Sequence, residues 1–246
     1  MKKEAAITVK NLHISYRGLK KFSIKRSLFK GKKNSKEIFE AVKGISFEVE
    51  KGKILGFIGK NGSGKSTTLR ALAGIFSPDK GSINLHGNSV SLLSIGVGFQ
   101  PKLTGYENIY LSGMLLGFSE SQIKAKEKEI IEFADIGDFI YKPVKTYSSG
   151  MHSKLAFAIT AILETDIMLI DEVLSVGDAA FKEKSYNKMK ELISDENRTV
   201  VIVSHSLDTI KNLCNEVLWL HNGEIKMMGE PEKVIEEYKK FMETKA

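Results

Sequence analysis

Short apolar runs rich in β-branched residues punctuate the chain at residues 6–9, 45–49, 54–58, 82–85, 167–170, 199–204 and 217–220, each about the length of a strand. Helical patterns lie between several of them, and that alternation predicts an α/β protein with a largely parallel sheet. From Tyr106 to about Glu164 the pattern changes, with no convincing strand and a succession of helical periodicities. Within it Ser119 is placed to cap a charged amphipathic helix, and Pro143 marks a break. The stretch reads as a helical lobe, approximately residues 105–164, inserted between the core strands of a single domain spanning 1–246. After Pro231, the residues Val234, Ile235, Tyr238, Phe241 and Met242 recur at helical spacing, which predicts a last helix docked on the core. Only four residues follow Met242, so no appended domain is expected.

Composition narrows the class. With 246 residues, 42% hydrophobic and 27% charged, the chain can bury a sizeable core, and disorder as its main state is excluded. Lys and Arg number 37 against 30 Asp and Glu, a formal net charge of +7. Nine of the basic residues (Arg17, Lys20, Lys21, Lys25, Arg26, Lys30, Lys32, Lys33, Lys36) fall between 17 and 36 with no acidic residue among them. Setting them aside leaves 28 basic against 30 acidic residues, so the sequence is a near-neutral globule with one basic insert. Cys214 is the single cysteine, which excludes an intramolecular disulfide. The start Met-Lys-Lys-Glu lacks the apolar run of a signal peptide, and the reducing cytoplasm is the expected compartment. The longest apolar stretch, 155–170, is interrupted by Glu164 and Asp166 and falls short of the roughly 20 residues that span a bilayer. Cys214 shares a helical spacing with Leu207 and Ile210, which predicts a buried, structural thiol.

The chemistry begins at Gly59-Lys60-Asn61-Gly62-Ser63-Gly64-Lys65-Ser66, a match to the phosphate-loop pattern G-x-x-x-x-G-K-[ST]. A predicted strand, 54–58, precedes it, and a predicted helix, 66–73, follows. Small residues let successive backbone N–H groups wrap phosphates at a helix N-terminus, Lys65 reaches the β and γ phosphates, and the Ser66 hydroxyl ligates magnesium. A second carboxylate-bearing element is Ile167-Met168-Leu169-Ile170-Asp171-Glu172, an apolar strand that would deliver two acids to the carboxyl edge of the sheet beside that loop. Asp171 is then the residue holding magnesium through water, and Glu172 the general base that polarises the attacking water. Together they predict a nucleoside-triphosphate hydrolase.

Tyr147-Ser148-Ser149-Gly150-Met151, about twenty residues ahead of that acidic pair, resembles the signature motif of ABC-type ATPases. It departs from the common Leu-Ser-Gly-Gly-Gln at Tyr147, Ser149 and Met151, and keeps Ser148 and Gly150, which make the family's phosphate contacts; alone, such a serine would be an ordinary helix cap. The other elements follow in the family's order. Gln100 resembles the Q-loop glutamine that senses magnesium and contacts the membrane partner, Asp178 the aspartate of the dimer-contacting D-loop, and His205 the switch histidine on the γ-phosphate. For the adenine-stacking aromatic there are two candidates, Tyr16 and Phe39, with Tyr16 preferred because an insertion after it leaves the first strand's register intact. The resemblance implies a P-loop core with a mostly parallel sheet, an antiparallel β subdomain and an inserted α-helical subdomain. It also implies ATP and Mg2+ as ligands. The implied nucleotide-binding set is Tyr16, Gly59, Lys60, Asn61, Gly62, Ser63, Gly64, Lys65, Ser66, Thr67, Gln100, Ser148, Ser149 and Gly150; Glu172, His205 and Lys65 are catalytic, and Ser66, Gln100 and Asp171 face the metal.

The insert after Tyr16, the run from Ser94 through Gln100 to Asn108, the Thr-Tyr-Ser-Ser-Gly-Met signature and the segment from Glu172 to Asp178 together look like the polysaccharide-export branch of these ATPases. Its members drive membrane subunits that export lipid-linked teichoic acids or O-antigen polysaccharides. The partners implied are a second, head-to-tail copy of the chain and two membrane-spanning permease subunits, at the cytoplasmic face of the membrane. Some relatives carry a C-terminal glycan-binding domain; the chain ends too early for one, so glycan selectivity is expected elsewhere. Competing readings are an ATPase serving another substrate, such as a drug or peptide, and an ABC protein acting on ribosomes or DNA. The single phosphate loop and single signature speak against the last, and nucleic acid is not an expected partner. The basic insert reads either as a solvated loop or as an electrostatic contact with anionic lipid headgroups or a phosphate-bearing carrier.

Overall fold

A computed structural model describes residues 4–17, 38–93, 98–171, 178–195, 197–204 and 206–244. In chain order the elements are β1 (Ala5–Arg17), β2 (Ile38–Glu50), β3 (Ile54–Ile58), α1 (Lys65–Leu72), β4 (Lys80–Asn84), β5 (Val90–Leu93), α2 (Gly105–Leu115), α3 (Glu120–Ala134), α4 (Ser149–Ile162), β6 (Ile167–Asp171), α5 (Ala179–Ile193), β7 (Thr199–Val203), α6 (Leu207–Leu213), β8 (Glu216–His221), β9 (Glu224–Gly229) and α7 (Pro231–Glu243). Nearly all of the basic insert lies outside the described residues.

Two sheets form. The larger has the order β5-β6-β7-β3-β8-β9; its first five strands run parallel and β9 returns antiparallel on β8. β7 is buried at every position and β6 at all but its last, the continuous apolar pattern of strands covered on both faces. The smaller sheet, β2-β1-β4, is antiparallel. In β2 buried and exposed residues largely alternate, because one face packs on the core and the other meets water.

Three apolar clusters follow from this layering. One fills the space between the sheets around Phe47, Phe57, Leu69 and Val201. A second lies on the opposite face of the large sheet under α5, α6 and α7, around Met189, Trp219 and Val234. The third belongs to the lobe of α2, α3 and α4, around Ile109, Ile123, Ile130 and Leu155. α4 serves the last two at once, with Phe157 and Ala161 in the sheet-side cluster and Leu155, Ala158 and Ile159 in the lobe. Every residue from Leu155 to Leu163 is therefore buried. Thr104 and Ser119 start α2 and α3 with reciprocal capping boxes to Glu107 and Gln122, satisfying otherwise orphaned N–H groups.

The structure adds what periodicity does not signal. β1 and β2 are 13 residues each because they continue pairing through bulges as far as Arg17 opposite Ile38. β5 is a four-residue edge strand. β9, Glu-Ile-Lys-Met-Met-Gly, has poor intrinsic β preference and is held by its pairing to β8. The turn between β8 and β9 is Asn222-Gly223, both at positive φ (53° and 87°), the geometry that an Asn-Gly hairpin supplies. Helix α1 starts at Lys65, one residue ahead of its predicted start.

Gly56 of β3 fixes how closely α6 approaches the sheet. A Cβ there would lie 2.8 Å from Cys214 Sγ and 2.9 Å from Ile210 Cγ2. Gly56→Ala is accordingly expected to lower stability by about 1–3 kcal/mol through overpacking, read from the urea midpoint. Burial pushes the Cys214 thiol up to about 12, so a thiol reagent at neutral pH should modify native protein only as fast as it opens; rapid labelling of all molecules would contradict this packing.

Candidate functional site

Register across three neighbouring strands sets the site. Asp171 at the end of β6 stands beside Val203 of β7, and Val203 stands beside Phe57 of β3. Asp171 thus reaches the carboxyl edge of the sheet just where β3 turns into the glycine-rich loop, where open α/β sheets bind ligands.

The loop is held from below. Gly59 has φ 145°, and a Cβ there would lie 2.2 Å from the Leu220 carbonyl oxygen and 2.7 Å from Ser63 Oγ. Gly64, the N-cap of α1, has φ 104°, with the Ala41 carbonyl 2.7 Å from any Cβ. The Asn222-Gly223 turn completes the support: Gly223 N–H donates to the Ser63 carbonyl at 3.1 Å, and Lys43 N–H to the Gly223 carbonyl at 2.8 Å. With no side chains in the way, the loop folds back on itself and presents a hollow of about 150 Å³ lined by residues 61–67.

Lys65 is buried, and its Nζ donates to the carbonyls of Gly59 (2.6 Å) and Lys60 (3.1 Å). Burial pushes its ammonium below the usual value, and the Asp171 carboxylate partly offsets that. Ser66 Oγ donates to Asp171 Oδ1 at 3.2 Å, so the hydroxyl and the carboxylate proposed for magnesium meet. Ser63 Oγ is buried without a hydrogen-bond partner. Such an orphaned group in a hollow edged by backbone N–H donors and Lys65 fits a polyphosphate. One hydroxyl and one carboxylate suit magnesium, which keeps most of its shell as water and phosphate oxygen. Among the described residues no group of three or more His, Cys, Asp or Glu forms a metal cage. Lys60, Asn61 and Gly62 are exposed and Thr67 is half-buried.

Tyr16 and Phe39 are cross-strand partners in the β1–β2 ribbon and therefore share one of its faces. Tyr16 lies against the phosphate-loop helix: its hydroxyl is 3.1 Å from Thr67 Oγ1, and its ring meets Phe76 edge-on at 5.8 Å. Phe39 is 60% exposed.

Gln100 is exposed, and its loop is fixed from α2 by a residue to which sequence reading assigned no role. Asn108, fully buried, accepts Gln100 N–H at 2.7 Å. Its amide lies 3.2, 3.3 and 2.8 Å from the carbonyls of Gln100, Leu103 and Thr104. The only sequence signal was an asparagine on the helix face it shares with Gly105, Ile109, Ser112 and Gly113. Ser148 caps α4, its Oγ accepting Met151 N–H at 3.2 Å; Ser148 and Ser149 are exposed and Gly150 half-buried. Asp178 caps α5 through Phe181 N–H at 2.9 Å. Glu172 and His205 lie outside the described residues. No helix among the described residues is long and apolar enough to cross a membrane.

Residues 42–175 match the family model for the ABC transporter. The teichoic acids export ATP-binding protein TagH of Listeria innocua is 46% identical over 217 residues, 88% of this chain and 64% of that protein. TagH of Bacillus anthracis is 46% identical over 206 residues, 84% of this chain and 37% of its own length. The chain thus spans less than two thirds of these TagH proteins. An O-antigen export system ATP-binding protein, RfbB of Klebsiella pneumoniae, is 42% identical over 215 residues, covering 87% of this chain and 85% of the relative. Among solved structures, the dimeric post-hydrolysis state of the ATP-binding cassette MJ0796 bound to ADP and Pi has a TM-score of 0.68 at 20% identity, covering 92% of this chain and 98% of that one. An ATP-binding subunit of an ABC transporter gives 0.70 at 21%, covering 95% and 93%. At such identities these two structures bear on the fold.

The Asn222-Gly223 turn supplies a test remote from the phosphates. Gly223→Ala forces a side chain into positive φ, with its Cβ 2.9 Å from the Ala41 carbonyl. At a strain of about 1–3 kcal/mol, the loop above should loosen and affinity for a fluorescent ATP analogue fall several-fold. Asn222→Gly, which keeps the turn, should bind as the parent does.

Proposed function

The chain belongs to the ABC transporter family, and from that membership we propose that it is the ATP-hydrolysing subunit of an exporter moving lipid-linked cell-surface polysaccharide of teichoic-acid or O-antigen type across the cytoplasmic membrane. The observation that carries this reading is the 42–46% identity, over nearly nine tenths of the chain, to ATP-binding proteins named for teichoic acid and O-antigen export.

In this reading two copies meet head to tail, and each ATP lies between two chains. One copy supplies the phosphate loop with Lys65, Asp171, Glu172 and His205, and Tyr16 flanks the adenine. The other supplies Ser148, Ser149 and Gly150 at the exposed N-terminus of α4, where the helix dipole and free N–H groups favour the γ-phosphate. Bound magnesium would neutralise phosphate charge next to Ser66, Gln100 and Asp171. The chain's own work is positioning: Lys65 holds the phosphates, Glu172 takes the proton of the attacking water, and His205 hydrogen-bonds the γ-phosphate.

The membrane subunits dock, in the same reading, on the lobe next to Gln100. Support comes from a groove there lined by Leu103, Tyr106, Tyr110 and Met114 and rimmed by Glu107 and Lys124. Tyr106 and Tyr110 both donate to Glu127 Oε2, a shared carboxylate that braces α2 on α3. The basic residues between 17 and 36 fit a contact with anionic headgroups or a phosphate-bearing carrier at the membrane face, at about 1 kcal/mol per residue near the surface.

Glu172→Gln should bind ATP normally, lose about 10²–10⁴-fold in turnover and accumulate as a closed dimer by size-exclusion chromatography; full steady-state hydrolysis would reject Glu172 as the base. Depletion of the protein should leave undecaprenyl-linked glycan inside the membrane, and its unimpaired export would reject the substrate. Neutralising Lys20, Lys21, Lys25 and Arg26 should impair export more than ATP hydrolysis; equal effects would remove the insert from the export step.

A further inference from the structure

Side chains just after the signature grip the loops on either side of it. The His152 ring packs on Phe99, the residue before Gln100, with centroids 4.8 Å apart, and burial holds its imidazole below the usual value, on the neutral side. Lys154, whose side chain is 15% exposed, pairs with Asp178 Oδ2 at 2.7 Å and passes over the Phe181 ring at 5.2 Å. The other oxygen of Asp178 is the cap of α5, so the carboxylate is fixed from two directions. Residues two apart on a helix point about 200° from each other. Phe99 and Asp178 therefore grip the start of α4 from opposite sides.

A third contact anchors the same segment. Tyr147 donates its hydroxyl to the Phe139 carbonyl at 2.7 Å, and a Cβ on Gly105 would lie 2.1 Å from the Tyr147 hydroxyl oxygen. The tyrosine at this departure from the common signature is thus matched by a glycine at the start of α2. Beyond Leu155, α4 is wedged between two apolar clusters, which leaves its first two turns as the part that can respond to a shift of either loop.

We propose that His152 and Lys154 are positioning residues: they hold Ser148 and Gly150 in register with the Gln100 loop on one side and the Asp178 segment on the other, so the signature is presented correctly to the nucleotide of a second copy. The proposal rests on the two-copy reading above and deepens it. Neither residue need touch ATP.

The test is steady-state hydrolysis against ATP and protein concentration with the full chain, beside affinity for a fluorescent ATP analogue under conditions where the chain is monomeric. His152→Ala and Lys154→Met should each lower kcat by between about tenfold and a hundredfold, the scale of a slightly misplaced group, with analogue affinity within twofold of the parent. His152→Phe, which keeps a ring, and Lys154→Arg, which keeps the charge, should recover most of the loss. Asp178→Asn retains a good helix cap and should match Lys154→Met, and the double variant should be no worse than either single one, as for one shared interaction. If His152→Ala does not fold, His152→Gln takes its place. Parental kcat in the two deletion variants, conservative variants as impaired as the deletions, or additive losses in the double variant would overturn the proposal. A parent whose specific activity is independent of protein concentration, and is unchanged by Ser148→Arg, would overturn the two-copy reading itself, and the proposal with it.

Discussion

Parallel pairing of β6, β7 and β3 is the constraint on which the rest depends. It brings Asp171, Val203 and Phe57 into one row and so places a carboxylate, the end of β7 and the mouth of the glycine loop at the same edge. These strands are buried on both faces almost throughout, with Leu169 and Val201 in one apolar cluster and Met168 and Val200 in the other, and a one-residue slip would send each side chain to the opposite cluster. The geometry between Ser66 and Asp171 is therefore set by hydrophobic register, not by any attraction between the two groups.

Around that edge two loops are held by different neighbours. The phosphate loop is braced from below by backbone, through Leu220, Ala41 and Gly223, and tied across by Lys65 to its own Gly59 and Lys60 carbonyls. The Gln100 loop is held by backbone bonds from Val144 and Lys145 to Leu103 and Pro101 and, next to Gln100 itself, by the Asn108 side chain and the His152 ring on Phe99. The phosphate loop is thus tied to the sheet, and the contacts next to Gln100 come from α2 and α4.

Much of this was legible in the sequence where one local pattern carries one meaning. The apolar runs of β6 and β7, the loop from Gly59 to Ser66 and the cap at Ser119 each declare themselves within a few residues. What escaped depends on distant partners. β9 is held by β8, and the role of Asn222-Gly223 depends on the Ser63 carbonyl beside it. Asn108 and the Lys154–Asp178 pair link positions that no periodicity connects. Tyr16 and Phe39 looked like alternatives when separated by the insert along the chain, yet strand pairing sets them side by side.

The order of strands also has a consequence for synthesis. The sheet neighbours of β3 are β7 and β8, and Ile54 must wait for Val200. At ribosomal speeds that delay is on the order of ten seconds, while the lobe of α2, α3 and α4, contiguous in the chain, has local contacts that form quickly. Through that interval the strand behind the phosphate loop is an unpaired apolar edge, a hazard for association with other chains. Phosphate binding becomes possible only once residues near 203 and 220 have emerged, so the nascent chain acquires its ligand site late and almost all at once.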